Sequence, residues 1–290
     1  MYKEINTLEK LREAVASKGI LKKMAFQDMD FRLVADEAWE CWYSDCIFLG
    51  GEGVGAIRAR MDESCLVFPS FKDIPFDVFK GHLYSSDTLY AGYVPGVPDS
   101  YRNTYDNIVY SHYLKAGKMA TGVKETLARI LHDRSMNDAL HDFIDGYNEK
   151  DLVGIMGGHS LLRTDESYRK VVELSKLLTE DGCLMVSGGG PGAMEATHLG
   201  AWMASRSEKE VEEALEKLYE APSYKDRLWL DTAFRVMERF PSARYGEISR
   251  LTAGRFDMEA YSQGAFRFEN AQTMVAGGFK RRPPLKIMAE

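Results

Sequence analysis

The decapeptide Ser187-Gly188-Gly189-Gly190-Pro191-Gly192-Ala193-Met194-Glu195-Ala196 constrains this chain more than any other stretch. It follows an apolar run, residues 183–186, and opens a segment with helical composition, residues 193–204. A strand that ends in glycines and turns directly into a helix gathers backbone N–H groups around one point. An anion is stabilised there, and the helix dipole adds to the attraction. Glycines let the main chain approach a phosphate without an intervening side chain. Pro191 fits a first helical turn, where its missing donor costs little. No Gly-Lys-Ser/Thr follows, so this is not a Walker loop.

A similar arrangement occurs one step earlier. Residues 152–156 form an apolar strand run that ends in Gly157-Gly158-His159-Ser160. Residues 165–180 then carry Tyr168, Val171, Val172, Leu174 and Leu178 at helical spacing, with Gly182 as the stop. Strand–helix–strand–helix at this spacing predicts a right-handed parallel unit, and hence an α/β fold with a Rossmann-like parallel sheet. Neighbouring parallel strands bring their carboxyl ends to one edge. Gly157, Gly158, His159 and Ser160 are therefore expected to face the same crevice as the 188–194 turn. Ser160 suits donation to a phosphate. His159 suits either proton transfer or backbone capping within the turn. Gly188, Gly190 and Ala193 also satisfy the G-x-G-x-x-G/A dinucleotide spacing. However, the acidic residues some twenty positions on fall in a charged helix rather than at the end of a next strand, which makes an NAD-dependent oxidoreductase a distant alternative. Glu195, in the first helical turn, is the candidate contact to a ribose or base. Its spacing to His198 is found in di-iron bundles, but the second pair that such a centre needs is missing, so no metal is expected.

The rest of the chain divides the sequence into regions 1–147, 148–240 and 241–290. The first reads as an irregular α/β region. Thr7 caps a helix bearing Leu8, Leu11 and Val15; residues 46–49 and 65–68 suit short buried strands; prolines punctuate residues 69–103. Two helices are expected to close it, one burying Val123, Leu127, Ile130 and Leu131, the next Met136, Leu140, Phe143 and Ile144. His132-Asp133 and His141-Asp142 are then expected on solvated faces. In the second region, Ser207 and Glu210 form a capping box, and Trp229 begins a helix with a broad apolar face. The last fifty residues carry a net charge of +3, against −10 for the remainder. Only residues 273–276 there resemble a strand, so a basic tail, including Lys280-Arg281-Arg282, is expected where a doubly wound sheet would continue.

Composition narrows the partners. Hydrophobic residues at 45% and charged residues at 28% are ordinary for a globular chain, and a net charge of −7 argues against nucleic acid. No apolar run reaches spanning length, so no membrane is expected. The four cysteines form no C-x-x-C pair, which fits a reduced, cytoplasmic protein.

At GIMGGHS (154–160) and SGGGPGAMEATHLGA (187–201) the sequence resembles the Lonely Guy (LOG) family. The likeness is to its longer bacterial branch, the pyrimidine/purine nucleotide 5′-monophosphate nucleosidases. FKDIPFDVFKGHLYSSDTLYAGY, at 71–93, is similar to amino-terminal regions of that branch, and the likeness runs from about residue 45 to 240. It implies a Rossmann-like fold, a homo-oligomer and no cofactor. The implied reaction is hydrolysis of a nucleoside 5′-monophosphate to a free base and ribose 5-phosphate. Gly188, Gly189, Gly190, Gly192, Ala193 and Met194 would cradle the 5′-phosphate, with residues 157–160 as the adjoining wall. The family's second motif, Pro-Gly-Gly-x-Gly-Thr-x-x-Glu preceded by an arginine, is absent; the nearest string, AGGFK at 276–280, lacks the glutamate. Breaking an N-glycosidic bond develops positive charge on the sugar, which a nearby carboxylate stabilises. Glu195 is the stand-in. The alternative is a nucleotide-binding or sensing protein without turnover.

Overall fold

The structure, a computed structural model, describes residues 2–84, 86–116, 122–187, 190–241 and 285–289. In chain order the first elements are β1 (Lys3–Ile5), α1 (Leu8–Ala16), β2 (Ile20–Lys22), β3 (Met24–Gln27), α2 (Ala35–Glu40), β4 (Trp42–Ser44), β5 (Ile47–Leu49) and β6 (Leu66–Phe68). Three helices come next: α3 (Ser86–Leu89), α4 (Tyr105–Ala116) and α5 (Val123–Ile144). The last are β7 (Leu152–Gly157), α6 (Glu166–Glu180), β8 (Leu184–Ser187), α7 (Ala193–Trp202), α8 (Glu208–Leu218), α9 (Trp229–Arg239) and β9 (Leu285–Ala289). The fold is mixed α/β with parallel sheets. Among the described residues no helix is long and apolar enough to cross a membrane. The chain forms two compact units: Met1–His82 with Ala120–His141, and Leu83–Met119 with Asp142–Glu290. Residues 83–119, grouped with the first region by sequence, thus belong to the second unit.

In the first unit, β1, β3, β5 and β6 form a parallel sheet in that spatial order, and β2 pairs with β4. Phe26 and Phe48 are register partners on β3 and β5, and their rings stack at 4.9 Å. Phe31 and Tyr43 pack edge-on against Phe26, at 5.3 and 5.9 Å, building an aromatic core. α1 begins where Thr7 accepts from the Lys10 amide, and it buries Leu11, Ala14 and Val15.

α5 corrects two expectations. The two helices expected here are one, and the first apolar stripe faces largely outward, with Val123, Leu127 and Ile130 at 87%, 41% and 55% exposure and Leu131 half-buried, whereas in the second stripe Met136 is buried and Leu140, Phe143 and Ile144 are half-buried. The buried face carries Arg129, His132, Asp133 and Ser135 alongside Ala128, Met136 and Ala139. His132-Asp133, expected in solvent, is therefore interior. This face meets the irregular segment around residues 72–80, which buries Phe76, Val78 and Phe79 and offers backbone carbonyls as acceptors. Lys124 donates to Lys72 O and Ser135 to Val78 O, while His132 packs edge-on against Phe76 at 5.3 Å. Arg129 stays paired internally, its Nε donating to Glu125 at 2.7 Å.

The second unit is built on a parallel sheet with strand order β8-β7-β9 among the described residues. Leu152 pairs with Leu184 and Ile155 with Ser187, so β7 and β8 end at the same edge. β9 lies in the stretch read as a tail; residues 273–284 lie outside the described residues. α6 and α7 cross closely at Gly200, where an added Cβ would stand 2.2 Å from Val172 O. Tyr168, Val172, Ala196, Leu199, Leu215 and Val236 join the core beneath. Ser207 and Glu210 form the expected capping box of α8.

Candidate functional site

The carboxyl edge of β7 and β8 brings the two glycine turns into contact. Gly192, at φ +74°, lies so close to Gly158 that a Cβ there would stand 2.3 Å from its carbonyl oxygen. The Ala193 amide donates to that oxygen at 3.5 Å. Only glycine fits position 192, for conformation and for space alike. Gly192 is the N-cap of α7 and provides no side-chain cap. Helix geometry therefore leaves the Met194 and Glu195 amides without an intrahelical acceptor. Gly190, Gly192 and Ala193 are buried and Met194 is half-buried; Gly188 and Gly189 lie outside the described residues. Across the contact, Gly157 is half-buried, and Gly158, His159 and Ser160 are exposed.

Glu195 sits elsewhere than a free catalytic group would. It is 2% exposed, and both its oxygens face Arg163, whose Nε donates at 3.2 and 3.0 Å and whose Nη2 also donates to Oε1. Arg163 is itself fully engaged. Nη1 donates to Ala221 O at 3.0 Å and Thr232 Oγ1 at 2.7 Å, and Nη2 donates to Trp229 O at 3.0 Å. The guanidinium also lies over the Trp229 ring, 4.9 Å from its centroid. Five donors in a fixed fork suit this role, and lysine could not replace it. The pair ties the β7–α6 connection to α7 and to the start of α9. Tyr168 packs next to it, and burial pushes its hydroxyl well above the usual phenol range. His198, three residues from Glu195, serves another partner: its Nε2 lies 2.7 Å from Ser187 Oγ. Burial pulls its pKa down to about 4. Among the described residues no three His, Cys, Asp or Glu side chains gather as a metal site.

A cleft of about 240 Å³ adjoins the glycine turn, and sequence reasoning missed it. Tyr90, Tyr93, Pro98 and Tyr101 form part of its lining. Pro191 contributes from the glycine turn, and Tyr224, Asp226, Arg227, Trp229 and Leu230 from the approach to α9. Tyr224 also meets the His159 ring at 6.3 Å, so the cleft borders both strand-end turns. Its walls are braced from behind. Tyr93 stacks on Phe234 at 5.0 Å, and its hydroxyl donates to Asp231, which also accepts from the Gly96 amide at 2.6 Å. Burial, more than the Asp231 charge, raises the Tyr93 pKa to about 12. Tyr101 donates to Asp106 at 2.5 Å. The only local sign was the density of tyrosines between residues 84 and 113, which carries no periodicity to place them.

No protein-family model matches the chain, and no curated protein and no solved structure matches it.

Proposed function

We propose that the second unit is a Rossmann-like, LOG-type module that binds a nucleoside 5′-monophosphate, its phosphate held at the N-terminus of α7. The observation that carries this reading is the pairing of an uncapped helix N-terminus with an aromatic cleft, joined through Pro191. An anion would be stabilised by the first-turn amides and dipole of α7, and a planar ring by the tyrosine-lined walls. A nucleotide monophosphate joins these two groups through one sugar. The motifs at 154–160 and 187–201, similar to the LOG family, favour the same ligand.

Binding is the primary reading, because Glu195 is held by Arg163 and does not stand open to a ligand. Its part in the site is positional: it fixes α7, and so the direction of the first-turn amides. Hydrolysis of the N-glycosidic bond is the second reading. One observation favours it beyond the resemblance, namely that the cleft holds a carboxylate, Asp226, one oxygen of which accepts from the Ser223 amide at 2.8 Å. In that reading Asp226 would stabilise the positive charge that develops on the ribose.

The test is calorimetric titration of AMP, GMP, CMP and UMP into the full chain, with ribose 5-phosphate release followed in parallel. Saturable binding that Gly190→Asp abolishes supports the reading. Release that disappears in Asp226→Asn establishes the hydrolase. Absence of binding by all four nucleotides overturns the proposal.

A further inference from the structure

The first unit carries a surface cluster that the nucleotide reading does not use. Ile20 and Trp42 are register partners on β2 and β4, and so are Leu21 and Tyr43 one position on. Successive strand residues point to opposite faces, so the buried Leu21 and Tyr43 leave Ile20 and Trp42 outside, at 64% and 51% exposure. Trp39, on α2, is 45% exposed. Arg60 ends the 3-10 turn Val54–Arg60, and Met61 after it bridges to Tyr43, which brings Arg60 alongside the Trp42 row. Its guanidinium lies over both indoles, 4.6 Å from the Trp39 ring centroid and 4.9 Å from that of Trp42. Its Nε is buried without a hydrogen bond, and the Arg60 side chain makes no hydrogen bond or ion pair among the described residues. Two indoles thus orient a guanidinium by its face, which leaves its edge donors for an anion.

We propose that Ile20, Trp39, Trp42 and Arg60 form a docking site for a short acidic peptide segment of a partner protein, with one carboxylate on the Arg60 edge and a neighbouring apolar side chain on the indoles. Charge chooses the anion. Arg60 brings one positive charge, Lys18 is taken by Glu40 at 2.7 Å, and Glu37 and Glu63 are exposed on α2 and just past the turn. A dianionic phosphate, which proteins hold with clusters of arginines, is disfavoured there, whereas a planar carboxylate matches the fork. Area chooses the size. Ile20, Trp39 and Trp42 together expose about 400 Å², the scale of patch that a monomer keeps for function. A stable interface with a second folded copy buries about 800 Å² on each partner, so a short segment fits the patch better. Tryptophan and arginine are also the residues that concentrate binding energy in such contacts.

The experiment probes the full chain with an array of short, acetylated and amidated peptides whose central residue is Asp, Glu, Asn, Gln or phosphoserine, flanked in turn by each apolar residue. Peptides with Asp or Glu beside an aromatic or aliphatic residue are expected to bind. The best of them, titrated in solution, should lose at least about tenfold in affinity when its acid is replaced by the amide. Arg60→Lys, which keeps the charge but not the fork, should lose as much, with a urea midpoint to show that the variant is folded. Equal binding of acid and amide peptides, or unchanged binding by Arg60→Lys, overturns the carboxylate contact. Phosphoserine peptides that outbind their Asp counterparts make the site one for phosphate and overturn it too. An array with no binding peptide removes the docking site. Sedimentation tests the other occupant: a dimer that Arg60→Lys dissociates assigns the patch to a second copy of the chain and overturns the peptide.

Discussion

Both units end a parallel strand in glycines, yet the two turns do different things. After β5, Gly50, Gly51 and Gly53 all take positive φ, and the space a Cβ would need is filled by the chain itself: Phe79 at 2.6 Å, Met29 O at 2.3 Å and Arg32 at 3.0 Å. These glycines lead only into a short 3-10 turn, Val54–Arg60. After β8, Gly192 is just as tightly packed against Gly158 O, but it opens the ten-residue helix α7 with no side-chain cap, beside an aromatic cleft. Glycines at a strand end thus report close packing in either case. The features that separate the second turn are the helix it starts and the walls around it.

The largest effect should come from the ion pair that fixes α7. Glu195→Ala leaves a buried guanidinium without its counter-charge and should cost about 3–5 kcal/mol in urea unfolding. Glu195→Gln should also lose stability. If it kept full stability but lost a ligand-dependent activity, Glu195 would be catalytic rather than positional. Next come Gly192→Ala and Gly51→Ala, each with a positive φ and a backbone clash. Both should destabilise by roughly 2–4 kcal/mol, but only the first should also abolish nucleotide binding under conditions where the variant is folded. Loss of binding in Gly51→Ala as well would erase the distinction drawn between the turns.

Smaller effects concern protons and surfaces. His198 is held neutral, with its pKa down at about 4, so below its ordinary value near pH 6.5 the unfolded chain takes up a proton that the folded chain does not. Its contribution to stability is present at neutral pH and falls as pH drops from 6.5 towards 4, by up to about 1.4 kcal/mol per unit. His132, pulled down to about 3 by burial, acts with the same sign in the first unit. Urea midpoints at pH 7, 6 and 5 should show a shallower slope for His198→Gln; an unchanged slope would count against the buried neutral histidine. Least affected should be Val123→Ser and Leu127→Gln on the exposed stripe of α5, within about 0.5 kcal/mol. Met136→Ala on the opposite face should cost about 2–5 kcal/mol.

What was legible in the sequence was what local chemistry decides. The Thr7 cap, the Ser207–Glu210 box, the α6 face and the parallel pair β7–β8 all depend on residues within a few positions of one another or on strand–helix alternation. The three-residue strands β1, β2 and β4 are too short to show an alternation. α5 misled because its buried face mixes Ala128, Met136 and Ala139 with Arg129, His132, Asp133 and Ser135, so apolar spacing alone did not name the face that packs. Arg163 and the cleft were invisible for a different reason. The arginine joins positions 163, 195, 221, 229 and 232, and the cleft joins residues 90–101 to 224–230, so neither leaves a pattern in any one window of sequence.

The most direct test of a nucleotide site at α7 is a crystal structure of the full chain with AMP. Phosphate oxygens should accept from the Met194 and Glu195 amides, with the base against Tyr224 and Trp229. A phosphate held anywhere else in the chain, with the N-terminus of α7 left to solvent, would contradict it.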